Sequence, residues 1–455
     1  MIGLKKGVLK GVEKRGKAVF SSFGEKEGGA GCLRPASYGN CDCRGGVLRG
    51  GIGLKKYLDQ NGNHMEINMT NGTVLYIFVA PLNKDGLLED TTAIYAVGLD
   101  GYLYVRNENG WAWQRVLVGN YVTHSALRGE NKEIYNFYSG DKSTYSSSDG
   151  QVFRNVINEK VHGGCVCNKR YVVLTKKGEI RYMGVLKPYS TDSENSDGAG
   201  VIYAPAGFGA PVGIKGYGEN AYVFFERGIF KLTLSATGSE HTLQRIPYLG
   251  GTICMHAQAT TSDGVIFLAR EGVYYLRNDR VERICEYLPI GPCVPSKISN
   301  VGYCDDTVIF SYHQEKGNTS EVKRLVVYAD GKDGYFAELN GPLGGSEYTC
   351  IQGKIYRYAK DYEGVEYKAV PFYTSEELDF GTARKKRLKY LTLKGEGSVS
   401  VVVKSGDFTR TYPLVFKDGV AKTRLFDSGK IFSLTFQLET GAVVESVEID
   451  YLTEG

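Results

Sequence analysis

The residue types that do chemistry are scattered along this chain. Six histidines stand at His64, His124, His162, His241, His256 and His313. None falls in a His-x3-His or His-Glu-x2-His spacing, which on a helix would aim two imidazoles at one zinc ion. No Gly-x-Ser-x-Gly elbow offers a strained nucleophile, and no glycine-rich loop ending in Lys-Ser/Thr offers a phosphate cradle. Carboxylates remain: Asp149, Asp305, Asp306 and Asp379. A glycosidase would need two of them facing one another across a sugar ring, yet each reads equally well as a turn or strand-start residue. The sequence therefore predicts no catalytic residue, no resident metal and no cofactor.

Two local patterns test that reading. Ser147-Ser148-Asp149-Gly150-Gln151-Val152-Phe153 is similar to the aspartate box of sialidase blades, but it lacks the glycine two places after the aspartate and occurs once. The simpler expectation is a hairpin turn in which Asp149 caps its own backbone. Ten cysteines include two Cys-x-Cys pairs, Cys41/Cys43 and Cys165/Cys167. Two cysteines so spaced on a strand share a face, and the extended backbone between them disfavours a mutual disulfide. Free thiols are expected. A zinc site from Cys32, Cys41 and Cys43 lacks a fourth ligand and the Cys-x2-Cys spacing.

Binding chemistry is easier to place. Lys5, Lys6, Lys10, Lys14, Arg15 and Lys17 make a basic N-terminus, and Arg384, Lys385, Lys386 and Arg387 form a second basic run. Each reads either as a solvated segment or as a contact with a neighbouring subunit or with DNA phosphates. Glycines at 3, 7, 11 and 16 argue against a stable isolated helix in the first segment and for an arm. Trp111 and Trp113 alternate, so on a strand both indoles would share one face. That face would suit a subunit contact or a sugar.

The elements that must carry these groups are strands. Glycine is 59 of 455 residues, about 13% against the usual ~7%. Thirty-three tyrosines accompany it, a residue suited to a pleated, half-buried surface. The net charge is +4, too small by itself to argue for nucleic acid. No apolar run approaches the ~20 residues of a membrane span, and the N-terminus is no convincing secretory signal. The middle of the chain repeats itself. Phe225–Leu232 matches Ala269–Leu276 in type, with Gly228 and Gly272 44 residues apart, and Asp100–Asn107 matches Glu271–Asn278. Weaker copies surround Gly150, Gly178, Gly334 and Gly353. Each is a hairpin signal with glycine supplying a positive φ. Hairpins recurring every 40–45 residues mark propeller blades of four strands. The expectation is an all-β chain: an N-terminal arm and first strand at 1–55, a β-propeller of six or seven blades at 56–368, and an antiparallel β-sandwich at 369–455.

Two segments carry a resemblance. Tyr373-Thr374-Ser375-Glu376-Glu377-Leu378-Asp379-Phe380-Gly381, followed by the basic run and Leu388–Leu393, is similar to the opening of C-terminal domains in phage tail and head–tail joining proteins. Cys41 to Gly53 resembles their N-terminal opening strand. With the propeller between, the chain resembles the tail hub (packaged-DNA-stabilisation) proteins of short-tailed phages. The resemblance implies a structural virion protein, not an enzyme, made in the host cytoplasm and located in the tail. It implies copies in a cyclic ring, sixfold for preference, that extends or plugs the DNA channel. Portal, adaptor or other tail proteins would be its partners, with non-specific contact to packaged DNA. Two other readings stand beside it: a carbohydrate- or receptor-binding propeller module, and a propeller glycoside hydrolase.

Overall fold

The computed structural model describes residues 14–454, apart from 25–30, 60, 68–73, 85–86, 108–109, 130–132, 151, 188–197, 239, 287, 289, 340–346, 361–364, 368 and 407, and apart from the side chains of 82–92 and 107–115. Strands dominate these residues, and the one helical turn among them is a 3-10 turn at Arg44–Gly46. The chain folds as two compact units. One comprises residues 55–334 and 340–358; the other comprises 1–54, 335–339 and 359–455.

The first unit is a seven-bladed propeller. Four-stranded antiparallel sheets follow one another at 74–117, 122–157, 161–203, 211–246, 253–284 and 300–336. The seventh is also four-stranded, with Tyr348–Ile351 and Lys354–Ala359 as its first two strands. Residues from the other end of the chain lock this last sheet. Tyr57 N donates to Ile355 O at 3.1 Å, and Ile355 N donates to Met65 O at 3.0 Å. The first strand of each of the first five blades packs beside the first strand of the next. Arg357 of the seventh blade reaches Asp305 of the sixth at 3.9 Å, and Tyr348–Ile351 packs against Val74–Lys84 of the first. The ring is thereby closed, which removes the free sheet faces an open stack would expose.

The repeat places its glycines in one phase of this architecture. Gly101, Gly178, Gly228 and Gly272 stand in the turns between the second and third strands of the first, third, fourth and fifth blades. The other copies are out of phase. Gly150 and Gly334 lie between third and fourth strands, and Gly353 between first and second. Any tight hairpin selects the same turn residues, so turn chemistry alone does not identify which hairpin it closes. The reason for glycine also varies. Gly101 has φ +79°, as expected. Gly228 has no positive φ; a Cβ there would fall 2.5 Å from the Phe208 ring, so close packing excludes a side chain.

Tyrosines fill the faces between blades. Tyr138 of the second blade packs 5.2 Å from Tyr95 of the first, centroid to centroid, and Phe137 stacks on Tyr171 of the third at 3.8 Å. First and second strands are largely buried, as in Val265–Ala269, while fourth strands such as His241–Ile246 are largely exposed.

The second unit is a sandwich of a seven-stranded and a five-stranded sheet. Leu391, Leu393, Val447 and Ile449 from one sheet meet Val399, Val401, Val403, Leu434 and Phe436 from the other. The N-terminal segment does not behave as an arm over its described length. Lys14–Phe20 pairs antiparallel with Val447–Thr453. Cys41–Asp42 and Leu48–Gly50 form the expected strand–turn–strand and extend the same sheet. Phe23, Leu33 and Leu48 enter the sandwich core. Pairing explains the difference: the edge of Val443–Thr453 accepts seven residues in register. Gly16 leaves room for the Tyr451 ring, which a Cβ would meet at 2.3 Å.

The N-terminal contribution is measurable. Phe23 is 3% exposed and stands edge-on to Tyr373 and Phe436 at 5.4 and 5.7 Å. Phe23→Ala is expected to cost the sandwich about 3–5 kcal/mol. Chemical denaturation checks this; an unchanged midpoint would mean the segment adds nothing to that core.

Candidate functional site on the propeller axis

All seven blades begin with their innermost strand, so those strands run in one direction around the axis. Residues near their starts gather at one level, and residues further along gather at the next. At the first level an aromatic cluster crosses the ring. Tyr121, just before the second blade, stacks on His256 of the fifth with centroids 3.4 Å apart. His162 of the third blade lies 5.3 Å from His256. Tyr76 of the first blade stands edge-on to Tyr121 at 6.4 Å and donates to Asn300 Oδ1 of the sixth at 2.8 Å. Five blades thus meet across the axis and close it.

The backbone yields to make this cluster. His256 has φ +59°, a left-handed conformation that a residue with a Cβ adopts at a cost of about 1 kcal/mol or more. It sits in an irregularity that interrupts pairing between Ile253 and Gln258. Gln258 Nε2 donates to Cys254 O at 2.8 Å, and Met255 N donates to Pro295 O at 3.1 Å. These bonds hold the bulge that carries the imidazole inward.

Burial decides the charge of the cluster. His256 is 4% exposed and His162 is 5% exposed, and neither Nδ1 has a hydrogen-bond partner among the described residues. Burial holds the His256 pKa well below its ordinary 6.5, with His162, Lys215 and Lys176 pushing the same way. Burial, aided by Lys176, takes His162 down to about 4. Both rings are neutral near pH 7. Burial pushes the Tyr121 hydroxyl far up and takes Tyr303 up to about 12.

At the next level lies a cavity of about 310 Å³. Second-, third-, fourth-, fifth- and sixth-blade strands line it, among them Thr123, His124, Lys215, Thr260 and Tyr303. His124 Nε2 is tied to Asn136 Oδ1 at 2.9 Å, and the Thr260 hydroxyl donates to Gly216 O at 3.0 Å. Among the described residues no carboxylate lines the cavity, and Lys215 is the single cation that does. Burial lowers its pKa, and Cys165 opposes this.

The residues singled out from sequence lie elsewhere. Lys14, Arg15 and Lys17 lie on the first strand of the sandwich unit, with Lys17 Nζ 2.7 Å from Glu448 Oε1. Arg384, Lys385 and Arg387 are exposed, but Lys386 is fully buried. Its Nζ donates to the carbonyls of Thr382 and Lys430 at 2.5 and 2.6 Å. Lys386 is therefore withdrawn from any surface contact, because strand alternation turns it inward. Lys5, Lys6 and Lys10 lie outside the described residues, as do the side chains of Trp111 and Trp113. The two tryptophans fall on Gly110–Leu117, opposite Arg106 and Tyr104. Asp149 is a turn residue, accepting from Val152 N at 2.9 Å. Asp379 accepts from Gly381 N at 2.8 Å, and Asp305 (φ +48°) lies in the turn after Asn300–Cys304. The ten cysteines are not joined by disulfides, and the thiols of Cys32 and Cys41 donate to carbonyls. Among the described residues no group of three His, Cys, Asp or Glu could hold a metal ion.

Sequence reading missed the axial residues. Tyr76, Tyr121, His162, Lys215, His256 and Tyr303 share no motif, and only ring closure brings them together.

The neutral imidazoles carry a sign for pH. Unfolding lets His162 bind a proton at its ordinary 6.5, whereas the fold resists until about 4. Stability is therefore full above that window and falls as pH drops through it, by roughly 3 kcal/mol for this group. Urea midpoints across the window check this. His162→Gln is expected to weaken the dependence, leaving the share of His256.

No protein-family model and no curated protein matches the chain. Solved structures do. The WD40 β-propeller domain of Doa1 is 10% identical over 67% of this chain and 96% of its own, with a TM-score of 0.40. BBS1N, in complex with ARL6DN, is 10% identical over 70% and 98%, with a TM-score of 0.42. The computationally designed Ika8 protein is 11% identical over 71% and 95%, with a TM-score of 0.38. By its seven four-stranded sheets and its closed ring, the chain is an all-β propeller protein.

Proposed function

We propose that this is a structural protein that works through its surfaces: a virion component of a phage tail or head–tail connector, assembling as a ring of copies. The observation that carries the reading is the edge of the sandwich unit. Phe408–Val415 is the edge strand of the five-stranded sheet, and Val420–Arg424 is the edge strand of the other. The two lie side by side. Phe408, Val415 and Phe426 are 76%, 62% and 61% exposed. Lys404, Arg410, Lys417, Lys422 and Arg424 surround them, also exposed. An unpaired edge with large apolar side chains invites pairing with another chain. Pro35–Gly39 forms the opposite edge of the five-stranded sheet. A head-to-tail contact between two different edges repeats around an axis and closes into a ring.

Partners in this reading are further copies, sixfold for preference, and portal, adaptor or other tail proteins. Packaged DNA would pass through the centre of the ring of copies, since the aromatic cluster closes the propeller's own axis. Lys14, Arg15, Lys17, Arg384, Lys385 and Arg387 would supply non-specific phosphate contacts. The hydrolase alternative finds little support at the axis, where a cation and neutral imidazoles stand in place of paired carboxylates.

Electron microscopy of the purified protein, alone and with portal, tests the proposal. Rings or portal-bound particles are expected, and Phe408→Asp with Val415→Asp should reduce them to monomers. A wild-type chain that stays monomeric and never joins portal or tail proteins would refute it.

A further inference from the structure

The axial cavity has the composition of an anion site. Even partial withdrawal of an ammonium from water is unfavourable unless an opposing charge offsets it, so a cavity lined by a cation and no carboxylate favours an anion. Lys215 stands beside such a space, half-buried, with burial lowering its pKa; no ion pair reaches it among the described residues, and no described carboxylate lines the cavity it faces. Tyr303 lines the same cavity with its hydroxyl engaged by no described residue. Behind them, one level down the axis, the Nδ1 atoms of His162 and His256 are also without described partners, though both rings are at least nine-tenths buried. The bulge at His256 holds a costly backbone conformation to keep its ring there. The Lys215 ammonium and the Tyr303 hydroxyl line a space of about 310 Å³ that no described carboxylate lines.

We infer that the propeller axis binds a small oxyanion, a free phosphate or carboxylate, held by the Lys215 ammonium and the Tyr303 hydroxyl. The assignment follows from the inventory of donors. Thr123, Thr260 and Ser125 already donate their hydroxyl protons to Ser139 O, Gly216 O and Gly164 O, so they offer acceptors only. Lys215 and Tyr303 are the lining side chains with strong donor protons left to give, and an anion is the ligand that uses them. The closed level behind the cavity bars a polymer from threading through, and the volume holds one small group together with water. Such a ligand would sit among strands of five blades, stabilising the propeller by mass action.

The test uses the full-length protein and inorganic phosphate. Thermal unfolding is followed with increasing phosphate against sodium chloride at matched ionic strength, and binding is measured by calorimetry. The wild-type midpoint is expected to rise with phosphate beyond the chloride control. Lys215→Met should lose that rise and bind at least about tenfold more weakly, while keeping or raising its midpoint without phosphate. Tyr303→Phe, which retains the fold's packing, should weaken binding by a smaller factor. A Lys215→Met protein that responds to phosphate as the wild type does would overturn the assignment. So would a wild type that responds to phosphate and chloride alike.

Discussion

Closure of the ring is the constraint on which the propeller depends. A four-stranded blade sheet needs a neighbour on each of its faces. The final sheet cannot be completed locally. It borrows residues 57–67, whose backbone groups bond to Gly353 and Ile355. Once this lock forms, the inner strands are held around one axis, and side chains far apart in sequence are forced together. Tyr121 against His256 is a product of closure rather than of either strand alone.

The same constraint explains what is legible in the sequence. Glycine turns and alternating Tyr and Val disclose strands, hairpins and a repeat near 44 residues, because those depend on local φ and on period two. The blade count stays between six and seven because hairpins in different phases look alike: the turns at Gly150 and Gly334 use the chemistry of Gly101. The seventh blade, split between distant parts of the chain, leaves no single repeat to count. Residues 14–20 read as an arm because their partner strand lies more than four hundred residues away. Low helix propensity in the glycine-rich stretch fits a strand as well as it fits a loose arm.

The site is less legible still. Basic runs suggest contact surfaces, but charge along a strand alternates between solvent and core, and Lys386 shows the inward case. Its ammonium is satisfied by two carbonyls, so it resembles a buried polar crosspiece more than a surface cation. At the axis the informative groups are single residues whose partners come from other blades. Their chemistry is defined by what faces them, and that is invisible until the fold shows which residues share the cavity.

The antiparallel pairing of residues 14–20 with 447–453 has a consequence for synthesis. The first of these strands leaves the ribosome early and must wait for the second. During that interval Phe23 and Leu33 have no core to enter, and at ordinary translation rates the wait is on the order of half a minute. Propeller blades can collapse in turn as they emerge, since the first six each pair within themselves. The sandwich has no such order; it can be assembled only after residue 453 has emerged. A polypeptide still short of that residue holds blades and an unfinished sandwich, with its first strand still without the partner it pairs with in the folded chain.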